Sequence, residues 1–213
     1  MGDVKLLGGA SAKSLPVFKD QPPVVLPPNP ASRQTALLPL GGGSERAIDV
    51  VFPVMHGTFS EDGTIQGLFE LADVPYVGCG VLASSVGMDK DVAKRLARDA
   101  GIPIVPFVTI KRAQWSRDHE ALREHCAREL GYPLFVKPAN SGSSVGVHKV
   151  KEASQFAAAV EDAFKYDTKV LVEAGIDARE IEVSVLENID PNEGPLVSIP
   201  GEITPTHEVY SYD

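Results

Sequence analysis

The sequence predicts an α/β fold with α+β character, and three observations lead to it. Segments with the apolar spacing of a helix alternate with short β-branched runs, which is typical of helices packed on a sheet. Proline and glycine concentrate in the first 46 residues, which indicates loop or extended chain there. Near the C-terminal end, two strand-like runs follow each other without a helix between them.

The N-terminal part is expected to hold one strand and one helix after its long loop. Ile48 to Val54 (IDVVFPV) is a short apolar run that predicts a buried strand. Asp62 can cap a helix from Thr64 to Ala72, whose apolar residues share one face. Pro75 to Gly78 then predicts a short extended step.

The rest of the chain predicts long helices and the strands of a sheet. Leu82 to Ala100 is interpreted as one helix because its apolar residues fall four apart, and Ala113 to Leu130 as the next. Ile181 to Leu186 alternates apolar and polar residues, as a half-exposed strand does, and Leu196 to Ile203 predicts another strand. The remaining elements expected here are strands at 104–110, 134–137, 145–150 and 169–173 and a helix at 152–164.

The charge of the chain argues against nucleic acid and anionic membranes as partners. Its formal net charge is −9, whereas such partners select basic patches. No run of about 18 apolar residues and no signal-peptide pattern is present, so a cytoplasmic protein is expected. Cys79 and Cys126 fit neither a disulfide scaffold nor paired zinc ligands, and both are expected in the core or on a helix surface.

The stretch FVKPANSGSSVGVHK places a lysine and a glycine- and serine-rich loop between two strand-like segments. Backbone N–H groups in such a loop form a concave surface for anions, Ser143 and Ser144 add hydroxyl donors, and Lys137 adds a charge. The alternative is a glycine-rich hairpin whose Lys137 reaches solvent. The pattern is not a Walker loop, because the lysine precedes the glycines. It is not a dinucleotide fingerprint either, because a strand and not a helix is expected after the loop.

Two other segments offer contacts to a nucleotide. Lys90, in MDKDVAKR, begins a helix where the macrodipole disfavours lysine unless an anion lies nearby; a solvated charged face is the alternative. Glu173, in VLVEAGIDAREIEVSVL, opens a link whose backbone could pair with an adenine edge. Glu180 stands just before the next strand, where its carboxylate could accept both ribose hydroxyls. A surface hairpin with a solvated glutamate is the alternative for this segment.

The stretch VMHGTFSEDGTIQG offers a substrate site between a strand and a helix. Ligands of open α/β sheets gather at such strand ends, and free N–H groups at a helix start suit a carboxylate. His56 and Glu61 are therefore candidates for substrate contact. The alternative is a structural histidine at the end of a strand.

The order and spacing of these segments resemble the D-alanine–D-alanine ligase family of the ATP-grasp superfamily. The resemblance is carried by HGTFSEDGTIQG, PYVGCGVLASSVGMDKDVAK, AGIPIVPF, GYPLFVKPANSGSSVGVHKV, LVEAGIDAREIEVSVL and GEITPTHEVYSYD, and it covers the chain from about Ile48 onward. It implies an ATP-grasp architecture with a partial N-terminal α/β (pre-ATP-grasp) domain. The implied divisions are 1–80 for that domain, 81–173 for the central subdomain and 174–213 for the beginning of the C-terminal subdomain.

The resemblance also assigns roles to residues. Lys90 and Lys137 take positions that bind ATP phosphates, with the loop closing over them, and Glu180 takes the ribose position. The remaining nucleotide contacts that it implies are Ser143, Ser144, Val145, Glu173, Ala174 and Ile176. On the catalytic side, the resemblance implies that Ser143 fixes a catalytic tyrosine and the substrate amino group. It also implies that His56 and Glu61 face the first D-alanine.

The implied reaction is ATP-driven synthesis of D-alanyl-D-alanine through an acyl phosphate, for the cell wall. ATP and D-alanine are the implied substrates, Mg²⁺ (or Mn²⁺) the implied metal, and a homodimer the implied assembly. The family's N-terminal Glu-His motif, lysine–tyrosine pair, oxyanion arginine and metal ligands have no counterpart here, so the 213 residues are expected to be an internal portion of a longer enzyme. The alternatives are a nucleotide-binding module without catalysis and a ligase that accepts D-lactate.

Overall fold

The structure is a computed structural model that describes residues 24–27, 36–40, 42, 44, 46–142 and 144–204. The described residues form two compact units. One contains those up to Val51 together with Leu68–Val77, and the other contains Phe52–Gly67 and those from Gly78 onward. The second unit carries every predicted site residue that the structure describes.

In the first unit, three short strands form an antiparallel sheet: β1 (Val24–Val25), β2 (Ala36–Pro39) and β3 (Arg46–Ala47). The strand predicted at 48–54 is wrong in extent, because among the described residues it is reduced to one parallel bridge between Val51 and Tyr76. Val51 N–H donates to the Pro75 carbonyl and Val77 N–H to the Val51 carbonyl, both at 2.9 Å. Pro53 lacks an N–H, so the ladder cannot continue through it.

The predicted N-terminal helix is confirmed as α1 (Thr64–Leu71). Its cap is Asp62, whose carboxylate accepts the N–H of Thr64 at 3.0 Å and that of Phe59 at 2.9 Å. The bond to Thr64 satisfies a donor that a helix start leaves free, and the bond to Phe59 closes the preceding turn.

The single helix predicted for 82–100 is two helices, α2 (Val81–Met88) and α3 (Lys90–Asp99). Asp89 separates them with an extended backbone, and its carboxylate accepts the N–H groups of Asp91 and Val92 at 3.1 Å. The apolar spacing runs through both helices and could not reveal the break. An aspartate at an N-cap position stabilises a new helix start there.

The central sheet has four antiparallel strands in the order β4 (Phe107–Lys111), β7 (Lys169–Ala174), β5 (Leu134–Pro138), β6 (His148–Val150). Two helices, α4 (Arg112–Leu130) and α5 (Ala153–Ala163), share its apolar core. That core includes the buried side chains of Ile110, Trp115, Cys126, Leu134, Val136, Phe156, Val160, Val170 and Val172. Because side chains alternate along strands, this packing leaves the intervening residues on the opposite face.

The opposite face of the sheet presents a row of four residues in register. Glu173 pairs with Phe107 on one side and Phe135 on the other, and Phe135 pairs with Lys149. Lys137 lies two residues after Phe135 in β5, on the same face of the sheet, and pairs with Leu171. Side chains of α3 contact this face, since the carboxylate of Asp91 accepts from the Thr109 hydroxyl at 2.8 Å.

The last described residues form two short antiparallel ladders. One pairs β8 (Glu180–Glu182) with β11 (Gly201–Ile203), and the other pairs β9 (Val185–Leu186) with β10 (Leu196–Val197). Each of the two strands predicted here is therefore interrupted. At the interruption, Ser184 N–H donates to the Ser198 hydroxyl at 3.0 Å, so a side chain replaces the backbone acceptor that a ladder would use.

The two cysteines are free thiols. Cys126 is buried in the core on α4, as predicted, and burial raises the pKa of its thiol to about 12. Cys79 is exposed in the loop before α2, so its predicted place in the core or on a helix is wrong. None of the helices in the described part of the chain is both long and apolar enough to span a lipid bilayer.

Candidate functional site

A buried carboxylate shared by two lysines lies at the centre of the candidate site. Glu173 is 8% exposed, and its side chain lies on the sheet face opposite the core. One carboxylate oxygen pairs with Lys94 Nζ of α3 at 2.8 Å, and the other pairs with Lys137 Nζ of β5. Lys94 and Lys137 are themselves only 17% and 23% exposed at their side chains. The cluster is called the Glu173 triad below.

The charges of the triad keep Glu173 ionised. Burial alone would raise the pKa of Glu173, but the positive charges and hydrogen bonds of Lys137 and Lys94 outweigh burial and lower that pKa. One carboxylate against two ammonium groups leaves the triad with a net charge of about +1 when all three are ionised. The site is therefore cationic although the whole chain is acidic.

Lys90 lies at the root of the glycine- and serine-rich loop. Its ammonium donates to the Ser141 carbonyl, and its backbone N–H donates to the Ala139 carbonyl at 2.9 Å. Burial lowers the pKa of Lys90, and the charge of Lys137 lowers it further, against the partly offsetting charge of Glu173. Lys90 and Lys137, which the resemblance assigns to ATP phosphates, therefore lie within electrostatic reach of each other.

Both ends of the loop lie against the turn between α5 and β7. At the start, Asn140 N–H donates to a carboxylate oxygen of Asp167 at 2.8 Å. At the end, Gly146 has a φ of +68°, and a Cβ there would lie 2.6 Å from the Tyr166 ring and 3.0 Å from Pro138. The turn at Gly146 also explains why β6 begins at His148 instead of at the predicted residue 145.

Ser144 and Val145 are the two predicted loop contacts that the structure describes. Ser144 has a positive φ of 57°, and Val145 N–H donates to the Gly142 carbonyl at 3.1 Å. Ser143, predicted for both ATP and catalysis, lies outside the described residues. The positive φ values of Ser144 and Gly146 interrupt the extended backbone that a sheet ladder needs.

The loop meets the predicted substrate residues. A Cβ on Gly142 would lie 3.8 Å from Gly57 Cα and 3.9 Å from a carboxylate oxygen of Glu61. Glu61 accepts the Gly57 N–H at 2.5 Å, and its other oxygen lies 3.9 Å from His56 Nδ1. Two segments more than 80 positions apart in the sequence are therefore adjacent in the fold.

The link after β7 is hydrogen-bonded at its start and exposed to solvent farther along. Ala174 N–H donates to the Pro106 carbonyl at 3.1 Å, and Gly175 N–H donates to the Pro133 carbonyl at 2.8 Å. Ile176 is exposed, and Glu180 is exposed at the start of β8. None of the ion pairs among the described residues joins Glu180 to the triad lysines.

Lys94 is the site residue that sequence reasoning missed. Lys90 and Lys94 are four positions apart in KDVAK, so they share one face of α3. That spacing, next to a predicted phosphate-binding lysine, was the available signal. Its partner could not be found from the sequence, because Glu173 comes from a strand 79 positions later.

The described residues do not fit a metal ion. They contain no group of three or more His, Cys, Asp or Glu side chains that could hold one. The carboxylates of Asp89, Asp91 and Glu173 are instead paired with lysines or with Arg95.

Comparisons with known proteins identify the family. The family profile described as "D-ala D-ala ligase C-terminus" matches residues 96–213, and the profile described as "D-ala D-ala ligase N-terminus" matches residues 17–79. The chain belongs to the D-alanine–D-alanine ligase family. The resemblance predicted from the motifs is therefore confirmed.

Curated relatives in the D-alanine–D-alanine ligase family cover most of the chain. It is 51% identical over 215 aligned residues to "D-alanine--D-alanine ligase A" of Bradyrhizobium diazoefficiens, covering 99% of this chain and 56% of that protein. It is 52% identical to "D-alanine--D-alanine ligase" of Heliobacterium modesticaldum, covering 78% of this chain and 44% of the relative. The chain thus spans about half the length of these relatives.

Solved structures of D-alanine–D-alanine ligase relatives share the fold. The VanG D-Ala:D-Ser ligase from Enterococcus faecalis has a TM-score of 0.74 at 39% identity, over 90% of this chain and 52% of that one. The D-alanine-D-alanine ligase from Coxiella burnetii has a TM-score of 0.71 at 38% identity, over 85% and 48% respectively. These neighbours confirm the predicted α/β class with ATP-grasp architecture.

Proposed function

We propose that the chain is part of an ATP-dependent ligase that joins two D-alanines into D-alanyl-D-alanine, with release of ADP and phosphate. Family membership supports this activity, and one observation ties it to the described residues. Lys90, which lies within electrostatic reach of Lys137, donates to the glycine- and serine-rich loop, and Gly142 of that loop approaches Glu61. A nucleotide phosphate and an amino acid could therefore meet there.

In the proposed reaction, a carboxylate oxygen of the first D-alanine attacks the γ-phosphorus of ATP, and ADP leaves. The amine nitrogen of the second D-alanine then attacks the acyl-phosphate carbonyl carbon. The nitrogen loses a proton, and inorganic phosphate leaves with the electron pair of the broken C–O bond. Such a transfer depends mainly on positioning and on neutralising charge.

Residues of this chain supply those two effects in the proposal. Lys90 and Lys137 bind phosphate oxygens, and their charge stabilises the developing charge on the transferred group. Backbone N–H groups of the loop, with Ser143, Ser144 and Val145, complete the phosphate contacts. His56 and Glu61 face the first D-alanine.

The nucleoside end is assigned to the link after β7. Glu173, Ala174 and Ile176 contact the adenine, and Glu180 accepts the ribose hydroxyls. In this proposal, Glu180 and the link approach the triad when ATP binds. The backbone hydrogen bonds of Ala174 and Gly175 hold the start of the link.

Mg²⁺ or Mn²⁺ is proposed to accompany ATP. Since the described residues hold no metal-binding cluster, no step of the reaction is derived through the ion. We further propose the divisions 1–80, 81–173 and 174–213, a cytoplasmic location and a homodimer, each of which follows from the family alone.

The test is an assay of the purified full-length protein with ATP, Mg²⁺ and D-alanine. We expect D-alanine-dependent phosphate release together with D-alanyl-D-alanine, identified by mass spectrometry. Phosphate release without dipeptide would contradict the proposal. D-serine and D-lactate are supplied in competition across pH, because one structural neighbour is named a D-Ala:D-Ser ligase.

The Lys137→Ala variant tests the assignment of the phosphate site. We expect ATP binding to weaken by about 1.5–3 kcal/mol, the contribution of a hydrogen bond to a charged group. Calorimetric titration with ATP measures the change, and Lys165→Ala, which removes an exposed lysine paired with Asp162, is the matched control. Unchanged ATP affinity in Lys137→Ala would show that the assignment is wrong.

A further inference from the structure

In the Glu173 triad, one carboxylate is shared by two lysines, and one of them is assigned to ATP. Lys137 is assigned to ATP phosphate, yet its ammonium is paired with the buried carboxylate of Glu173. A phosphate oxygen competes with the Glu173 carboxylate for the Lys137 ammonium, and we consider the exchange of one anionic partner for the other. If Lys137 were the sole partner of Glu173, that exchange would leave a buried charge without compensation, which is strongly unfavourable.

Lys94 removes this obstacle. It contacts the carboxylate oxygen that Lys137 does not use, at 2.8 Å, and it is the less exposed of the two lysines. Its ammonium also lies 5.2 Å from the centre of the Phe107 ring, which is the register partner of Glu173. Lys94 therefore contacts both the Phe107 ring and the Glu173 carboxylate, independently of Lys137.

We propose that Lys94 is a positioning residue for ATP binding, which keeps Glu173 compensated when Lys137 moves from that carboxylate to a nucleotide phosphate. Lys94 does not contact the nucleotide in this proposal. It acts through Glu173, and the proposal rests on the assignment of Lys137 to phosphate made above.

The charged groups that face Glu173 define the expected pH behaviour. They are Lys94 from α3, Lys137 from β5 and, at longer range, Lys90 from the start of α3. Loss of the Lys94 charge removes one cause that lowers the pKa of Glu173, so that pKa rises. Protonation of Glu173 then becomes easier as the pH falls, and a neutral Glu173 releases Lys137.

The first variant is Lys94→Met, which keeps the length of the side chain and removes its charge. We expect the dissociation constant for ATP to rise at least tenfold at pH 8, because Lys137 stays with Glu173. The loss of ATP affinity relative to the wild type should become smaller as the pH is lowered toward 5. Lys94→Arg should restore affinity to within about threefold, and Arg98→Met removes a charge from the exposed side of the same helix as a matched control.

The decisive comparison is the double variant Lys94→Met/Glu173→Gln against Glu173→Gln alone. With no carboxylate to compensate, loss of Lys94 should change ATP affinity less than threefold. A further tenfold loss in the double variant would overturn the proposal, as would unchanged affinity in Lys94→Met. If Lys94→Met alone fails to fold, the double variant still decides, because it removes both partners of the pair.

These outcomes are distinct from failure of the proposed function. If the wild-type protein does not bind ATP, both the proposed function and this role of Lys94 are wrong. A wild-type protein that binds ATP, with Lys94→Met binding equally well, rejects only the role of Lys94.

Discussion

At the scale of single residues, the candidate site depends on charges that compensate each other in a buried place. Glu173 is buried on a sheet face that also carries two phenylalanines, and it remains ionised because two ammonium groups contact it. Burial of an unpaired carboxylate would be costly, so the arrangement contributes to stability only while Glu173 is charged. Acid should therefore weaken the fold through this residue.

The pH dependence has a definite sign. Because the pKa of Glu173 is lowered from its ordinary value of 4.5 in the folded state, its contribution is fully present above pH 4.5 and is lost as the pH falls through the folded value. We expect the free energy of unfolding of Glu173→Gln to fall less than that of the wild type between pH 5 and pH 3. Urea unfolding measures it, and Glu187→Gln, at an exposed position, should behave like the wild type.

The sequence offers most of the candidate site residues, but not the way in which they pair. Lys90, Lys137, the loop and His56 with Glu61 were predicted from motifs, whereas Lys94 was missed. The structure brings the loop and Glu61 together. The pairing of Glu173 with Lys94 was not foreseen, because Glu173 was expected to lie in the adenine link. Motif spacing gives the position of a residue along the chain, whereas long-range side-chain pairs depend on packing between elements.

At the scale of elements, Asp89 joins the site helix to the sheet. Its carboxylate caps α3 and also pairs with Lys169 Nζ of β7 at 2.6 Å. Lys169 contacts Asp91 at 3.3 Å as well. Burial alone would lower the pKa of Lys169, but its bonds to Asp89 and Asp91 outweigh burial and raise it. One residue therefore sets both the start and the placement of the helix that carries Lys90 and Lys94.

Substitution of Asp89 separates these two effects. Asp89→Asn retains a good N-cap and removes the charge, whereas Asp89→Ala removes both, so Asp89→Ala should be less stable than Asp89→Asn by about 1 kcal/mol. Thermal and urea unfolding provide the comparison. Asp99→Ala, exposed at the other end of α3, should change stability by less than about 0.5 kcal/mol. Equal stability of the two Asp89 variants would argue against the cap.

The elements themselves show where periodicity is sufficient. The strands of the central sheet and helices α4 and α5 were predicted within a few residues, because each has one apolar face toward a shared core. The break at Asp89 and the interruption at Ser184 were missed. In both places a polar side chain replaces a backbone partner, and hydrophobic patterns carry no information about such bonds.

At the scale of the whole molecule, nucleotide binding should be visible as stabilisation. A ligand that binds only the folded state adds about 2.7 kcal/mol when its concentration is 100 times its dissociation constant. We expect the unfolding midpoint of the full-length protein to rise with ATP concentration, and adenosine at the same concentration to give a much smaller rise. Equal stabilisation by adenosine would contradict the assignment of Lys90 and Lys137 to phosphate.

The in-register row Phe107, Glu173, Phe135 and Lys149 has a consequence for how this site can change over evolution. Successive side chains of a strand point to opposite faces, so deletion of one residue ahead of β5 would turn Lys137 into the core and bring Val136 to the ligand side. Point substitutions can tune such a site gradually, but insertions and deletions of single residues cannot. Length variation among descendants should therefore be confined to loops, while the four strands keep their residue count.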